Sequence, residues 1–130
     1  MTTPLTPGAP GAIRESLETI YAATMDRSLL DDVKVMASEM TSNAVQHSSC
    51  RAGDELSMSV DVTNGILHVE VGDAGHGAAA LEPRSLEPPS GLGYLEILSD
   101  RWSSRQNALF RVWFEIDVVS RTLLARASPV

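Results

Sequence analysis

The chain has a single cysteine, Cys50, so an intramolecular disulfide and any zinc site built on several thiolates are excluded. Such usage suits a reducing cytosol. Cations are also scarce: 10 Lys and Arg stand against 17 Asp and Glu, a formal charge of −7, and nowhere do the basic residues form a run. Phosphate neutralisation is the main source of nucleic-acid affinity, so direct binding to nucleic acid is not expected. A basic protein surface, or a magnesium-bound anion held by backbone groups, stays compatible. No apolar run approaches the roughly 20 residues of a membrane span, and the N-terminus lacks the basic start and apolar core of a signal peptide. The expectation is a cytoplasmic protein with no membrane partner.

What is present suffices for one folded domain. With 130 residues, 43% of them hydrophobic, the chain can bury roughly two-thirds of its unfolded surface. Residues 1–11 carry Pro4, Pro7 and Pro10 with Gly8 and Gly11 and no apolar periodicity, which predicts a flexible lead-in. Ile13, Leu17, Ile20 and Tyr21 recur at helical spacing and predict a helix from about Pro10 to Met25. A second is expected over Ser28 to Ser48, with Asp31 or Asp32 in its opening turn. Leu56, Met58, Val60 and Val62 alternate with polar residues, Asn64-Gly65 follows, and Ile66 to Gly72 returns, ending at Asp73; this is a hairpin pattern. Residues 74–90 are rich in Gly, Ala and Pro and longer than a connector requires, as functional lids are. Gly91-Leu92-Gly93 opens a third helix ending near Asp100, and two strands follow, around 102–105 and through Leu109, Val112, Phe114 and Ile116. This order predicts an α+β fold: a mixed, mostly antiparallel sheet with helices on one face. The domain is expected over 12–119, with 120–130 as a tail.

Three segments carry candidate chemistry. Glu39, Asn43 and His47 fall at successive i, i+4 positions and share a stripe about 80° wide at the edge of an apolar arc. That is the rim of a cleft rather than a fully solvated face. An amide oxygen such as that of Asn43 suits magnesium, and Glu39 one turn away could take a proton from an attacking hydroxyl. A plain surface helix is the alternative, with His47 merely placed near a helix C-terminus. Asp73-Ala74-Gly75-His76-Gly77 follows a strand, where a carboxylate can accept from an exocyclic amine and glycines let the backbone approach a flat ring; a tight Asp/Gly turn is the alternative. Gly91-Leu92-Gly93 starts a helix, where free N–H groups favour an anion; a lid hinge is the alternative.

Taken together, in this order, the three segments resemble the GHKL family of ATP-binding domains. Glu39 and Asn43 match its N box, Asp73, Gly75 and Gly77 its first glycine box, and Gly91-Leu92-Gly93 its second. Ser38 to His47, the short lid, Leu98 to Trp102 and Val112 to Ile116 further resemble the small anti-sigma-factor serine kinases.

The resemblance implies a two-layer α/β sandwich with ATP held among the helices and the lid. It implies Asn43 as ligand to Mg2+, Glu39 as general base, Asp73 as acceptor from the adenine amine, Gly91 and Gly93 as phosphate contacts, and Gly75 and Gly77 as pocket-shaping positions. His47 and Leu92 belong to the same expected nucleotide site. It further implies a serine on an anti-anti-sigma-like protein as phosphate acceptor, a sigma factor as competing partner, and a homodimer as a compatible state. Two features depart from the family pattern. Arg111 stands where a threonine helps complete the adenine pocket, and the strand that precedes the first helix in relatives is not legible in residues 2–11. A non-catalytic nucleotide-binding or partner-switching module is therefore the competing expectation. The catalytic domain of a histidine kinase fits less well, since the lid is short.

Overall fold

The computed structural model describes residues 1–47, 55–73, 93–106 and 110–121. Five strands and three helices follow one another as β1 (Thr2–Pro4), α1 (Ala9–Tyr21), α2 (Arg27–His47), β2 (Glu55–Thr63), β3 (Ile66–Asp73), α3 (Gly93–Leu98), β4 (Arg101–Gln106) and β5 (Phe110–Asp117). The strands form one sheet in the order β1-β2-β3-β5-β4. Every adjacent pair is antiparallel, so the sheet among the described residues is not mixed. The expected α+β architecture is otherwise the one observed.

Side-chain alternation explains the two layers. Leu56 and Met58 on β2, Leu67, Val69 and Val71 on β3, and Val112, Phe114 and Ile116 on β5 are buried. They recur at the strand period of two and line one face of the sheet. Against them pack Ile13 and Leu17 of α1 and Leu30, Val33, Met36, Ala37, Met40 and Ala44 of α2, at helical spacing. The opposite sheet face carries His68, Glu70, Arg111, Trp113 and Glu115, the intervening residues. Asn64 and Gly65 both have positive φ, 53° and 75°, as the tight two-residue hairpin turn demands. A Cβ on Gly65 would also meet Cγ2 of Val119 at 2.6 Å.

The N-terminus departs from expectation. Thr2, Thr3 and Pro4 pair with Ser57, Leu56 and Glu55, and the Met1 amine and carbonyl bond the Met58 carbonyl and amide at 3.0 and 2.8 Å. Thr3 and Leu5 are buried, and α1 begins at Ala9 with Pro10 in its first turn. A strand of three residues holds too few positions to display a period, and its hydrogen bonds come from β2, a non-local partner that local composition does not reveal. At the start of α2 the acidic residue is Asp26, not Asp31 or Asp32: its carboxylate accepts from Leu29 N at 3.2 Å and its carbonyl from Leu30 N at 2.8 Å. Residues 118–121 form a helical turn that docks on α2, Arg121 donating to Asp32 at 2.7 Å and to Ser28 at 3.1 Å.

Candidate nucleotide site

α2 carries the centre of the site. Its apolar stripe faces the sheet, and immediately beside that stripe Asn43 is only 3% exposed while Glu39 is half-buried. The Asn43 Nδ2 group donates to the backbone carbonyl of Glu39 at 3.3 Å. That carbonyl can only accept, so the bond fixes which way the amide points and leaves Oδ1 on the other side. Among the described residues Oδ1 is buried with no hydrogen-bond partner. Leaving a buried acceptor unpaired costs on the order of 1–3 kcal/mol, a cost that native proteins relieve with an ordered water, an ion or a ligand. One turn earlier, burial pushes the Glu39 carboxyl above its ordinary range. A carboxylate shifted in that direction is a better base than one in water.

Both residues line a cavity of about 620 Å3 that reaches from Asn43 along α2 to Asp31. Its volume lies within the range of small-molecule sites, about 300–1,000 Å3. Ser38 and Ser42 add hydroxyls from α2, Arg14 comes from α1, and the exposed Tyr94 comes from α3. Lys34 also lines it, its ammonium held by Glu18 of α1 at 2.9 Å. Glu18 in turn accepts a bidentate pair from Arg27 at 2.7 and 2.9 Å. The two cations hold its carboxyl down from the ordinary 4.5 to about 2. The wall of the cavity formed by α1 and α2 is thus braced by charge as well as by packing.

Sequence reasoning singled out Glu39 and Asn43, and the structure brings these together in one cavity wall. It missed Arg14, Lys34, Ser42 and Tyr94. Asp31, Val35, Ser38 and Ser42 recur at i, i+4, i+7, i+11 and so belong to one stripe beside Glu39, a signal present in the sequence; Arg14 and Tyr94 come from other elements and left none. Asp73 closes β3 as the register partner of the core residue Leu56. His47 closes α2, and Gly93 opens α3. Gly75, Gly77, Gly91 and Leu92 lie outside the described residues.

Arg111 is a correction. It was expected beside the adenine pocket, but it is the register partner of Gly72 and its guanidinium donates to Glu70 at 3.0 Å on the sheet face turned away from the helices. The one-residue offset from the buried Val112 accounts for this, because adjacent strand residues point to opposite faces. Extending the β3–β5 register by one step places Phe110, not Arg111, opposite Asp73.

The class of protein follows from the family to which the sequence belongs. The family model described as the histidine kinase-like ATPase domain matches residues 3–107, and the chain belongs to that family. ATP is the ligand that membership implies. Among solved structures, the chain is similar to the RsbU and RsbW domains of Rv1364c from Mycobacterium tuberculosis, with 19% identity and a TM-score of 0.67 over 91% of its own length. It spans 32% of that chain's length, and at this identity the likeness establishes the shared fold. No curated protein matches the sequence.

Proposed function

We propose that this domain binds ATP with Mg2+ and transfers the terminal phosphate to a serine of an anti-anti-sigma-like protein, and that it also sequesters a sigma factor in the cytoplasm. The observation that carries the reading is the pair on α2: a buried amide oxygen without a partner at Asn43, and a half-buried carboxyl pushed upward at Glu39, in one cavity wall. The oxygen of Asn43 fits a hard cation. It would supply one ligand, and the ion when bound would offset phosphate charge. Glu39 would accept the proton of the attacking serine hydroxyl, and Asp73 at the end of β3 would accept from the adenine amine. Gly75, Gly77, Gly91, Leu92 and Gly93 would shape the pocket and present backbone N–H groups to the phosphates, with His47 near the nucleotide. Phosphoryl transfer depends mainly on positioning and charge stabilisation, which suits a site of so few reactive groups.

The competing reading, a module that binds nucleotide and partners without transfer, drew its support from Arg111. With that guanidinium engaged by Glu70 on the far face, the support is withdrawn. The test is transfer of labelled phosphate from ATP to a purified anti-anti-sigma-like protein. A protein that binds ATP and that partner yet transfers nothing would overturn the kinase reading and leave the module.

A further inference from the structure

Among the described residues nothing packs on the sheet face turned away from α1 and α2, and the side chains there are sorted by charge across the strands. β2 brings Glu55 and Asp61 to that face and no base. At the opposite edge, the described side chains of β4 on that face are Arg101 and Ser103, a base and no acid. Asp61, His68, Glu115 and Arg101 are successive register partners, so one row runs from an exposed carboxylate on β2 to a guanidinium on β4. Among the described residues Asp61 accepts only from the neighbouring Thr63 hydroxyl. Arg101 is 49% exposed and donates through Nε to Glu115 at 3.0 Å, which leaves its two terminal nitrogens without a described partner. In the next row, Ser59, Glu70, Trp113 and Ser103, a half-buried indole stands beside a short hydroxyl residue. Trp113 stacks on His68, with ring centroids 5.4 Å apart, and its N–H has no partner among the described residues. Indole N–H groups usually find an acceptor once buried, and tryptophan is enriched where protein interfaces hold their energy.

A face graded from acid to base is complementary to itself. Turning a copy by 180° about an axis in the plane of the face, parallel to the strands and between β3 and β5, brings its face onto the first and exchanges left with right. β4 then lies over β2, β5 over β3, and each row over the same row. Packed sheets keep their strands within about 30° of one another, so the rows still meet. We propose that this face docks a second copy of the chain, back to back, in a two-fold dimer whose contacts repeat by symmetry. Arg101 of one protomer meets Asp61 of its partner at both ends of the row. Glu115 meets His68 in the middle, and the Trp113 indole comes over Glu70, whose carboxylate can accept its N–H. The described face covers on the order of 500 Å2 per protomer at ordinary strand spacings. That is below the roughly 800 Å2 per partner of a standard interface, so the dimer is a weak one, set by concentration.

Analytical ultracentrifugation of the full chain, from micromolar to submillimolar concentration, should show a monomer–dimer equilibrium. Asp61→Arg sets arginine against arginine at both ends of the row, and Arg101→Asp sets aspartate against aspartate. Each variant alone is expected to associate more weakly than wild type by at least about tenfold, because like charges held together across an interface are costly. Mixed in equal amounts, the two variants should recover the dimer, since every reversed charge then meets its opposite. A wild-type chain that stays monomeric throughout overturns the proposal. So does association insensitive to Asp61→Arg, as joining along a sheet edge would be, or a mixture no more associated than its components. If Arg101→Asp does not fold for want of its pair with Glu115, Asp61→Arg decides alone, and a dimer as tight as wild type's overturns the proposal equally. None of these readings depends on nucleotide or on phosphate transfer.

Discussion

At the scale of single residues, burial and phase decide what each polar group can do. Asn43 is an expensive residue to place where it sits, because one of its oxygens is buried without a partner among the described residues; alanine there would remove that cost and suit the helix. Asn43→Ala should therefore leave the fold at least as stable. Calorimetry should show ATP binding that has lost most of its magnesium dependence, whereas equal enhancement by magnesium in both proteins would refute the assigned role. Arg111 supplies the converse case. Its charge lies on the far sheet face against Glu70, so Arg111→Thr should leave ATP affinity unchanged and cost at most about 1 kcal/mol of stability, the usual worth of an exposed ion pair. A substantially tighter ATP complex in that variant would return Arg111 to the nucleotide. The difference between the two residues was only half legible. Helical spacing put Glu39 and Asn43 on one stripe, but which strand face Arg111 occupies turns on a one-residue phase that the sequence around 105–111, without a clear alternation, does not set.

Among the elements, the long periodic segments were readable and the short ones were not. α2 and the β2–β3 hairpin carry many apolar positions at a single period and a turn pair, Asn64-Gly65, whose backbone requirement is local. β1 has three residues and depends on β2 for its hydrogen bonds, so nothing within residues 2–4 announces it. The clamp between α1 and α2 was equally hidden, since Glu18 meets Arg27 and Lys34 only after the helices turn back on each other. That clamp has a pH signature. Its cations hold the Glu18 carboxyl at about 2 instead of 4.5, so the folded chain binds fewer protons there than the unfolded chain does between those values. A depressed carboxylate pKa contributes stability that is fully present above about 4.5 and is lost as pH falls toward about 2. Glu18→Gln should accordingly be less stable than wild type in urea melts at pH 7, with the gap closing as pH drops through that window. A gap that is constant with pH would mean that the clamp acts through packing alone.

For the whole molecule, the core and the cavity are held apart. The sheet and the apolar sides of α1 and α2 form the core, the clamp of Glu18, Arg27 and Lys34 fixes the two helices together, and Glu39 and Asn43, the groups proposed to act on the nucleotide, sit on the rim of α2 beside that core. Glu39 is the residue on which the two functional readings part. It is half-buried, has a carboxyl pushed upward by burial, and among the described residues that carboxyl has no ion-pair or hydrogen-bond partner. A purely structural acid in such a place would be paired, because burying an unpaired carboxylate is costly; a general base must be open to its substrate. Glu39→Ala should thus keep ATP and partner binding, and keep or slightly raise stability, while phosphate transfer falls by roughly 10²–10⁴-fold, the usual size of a general-base contribution. Transfer to an anti-anti-sigma-like protein, read alongside ATP calorimetry on the same preparations, distinguishes the outcomes. Loss of ATP binding together with transfer would make Glu39 part of the nucleotide's hold instead of its chemistry, and undiminished transfer would remove it from the mechanism altogether.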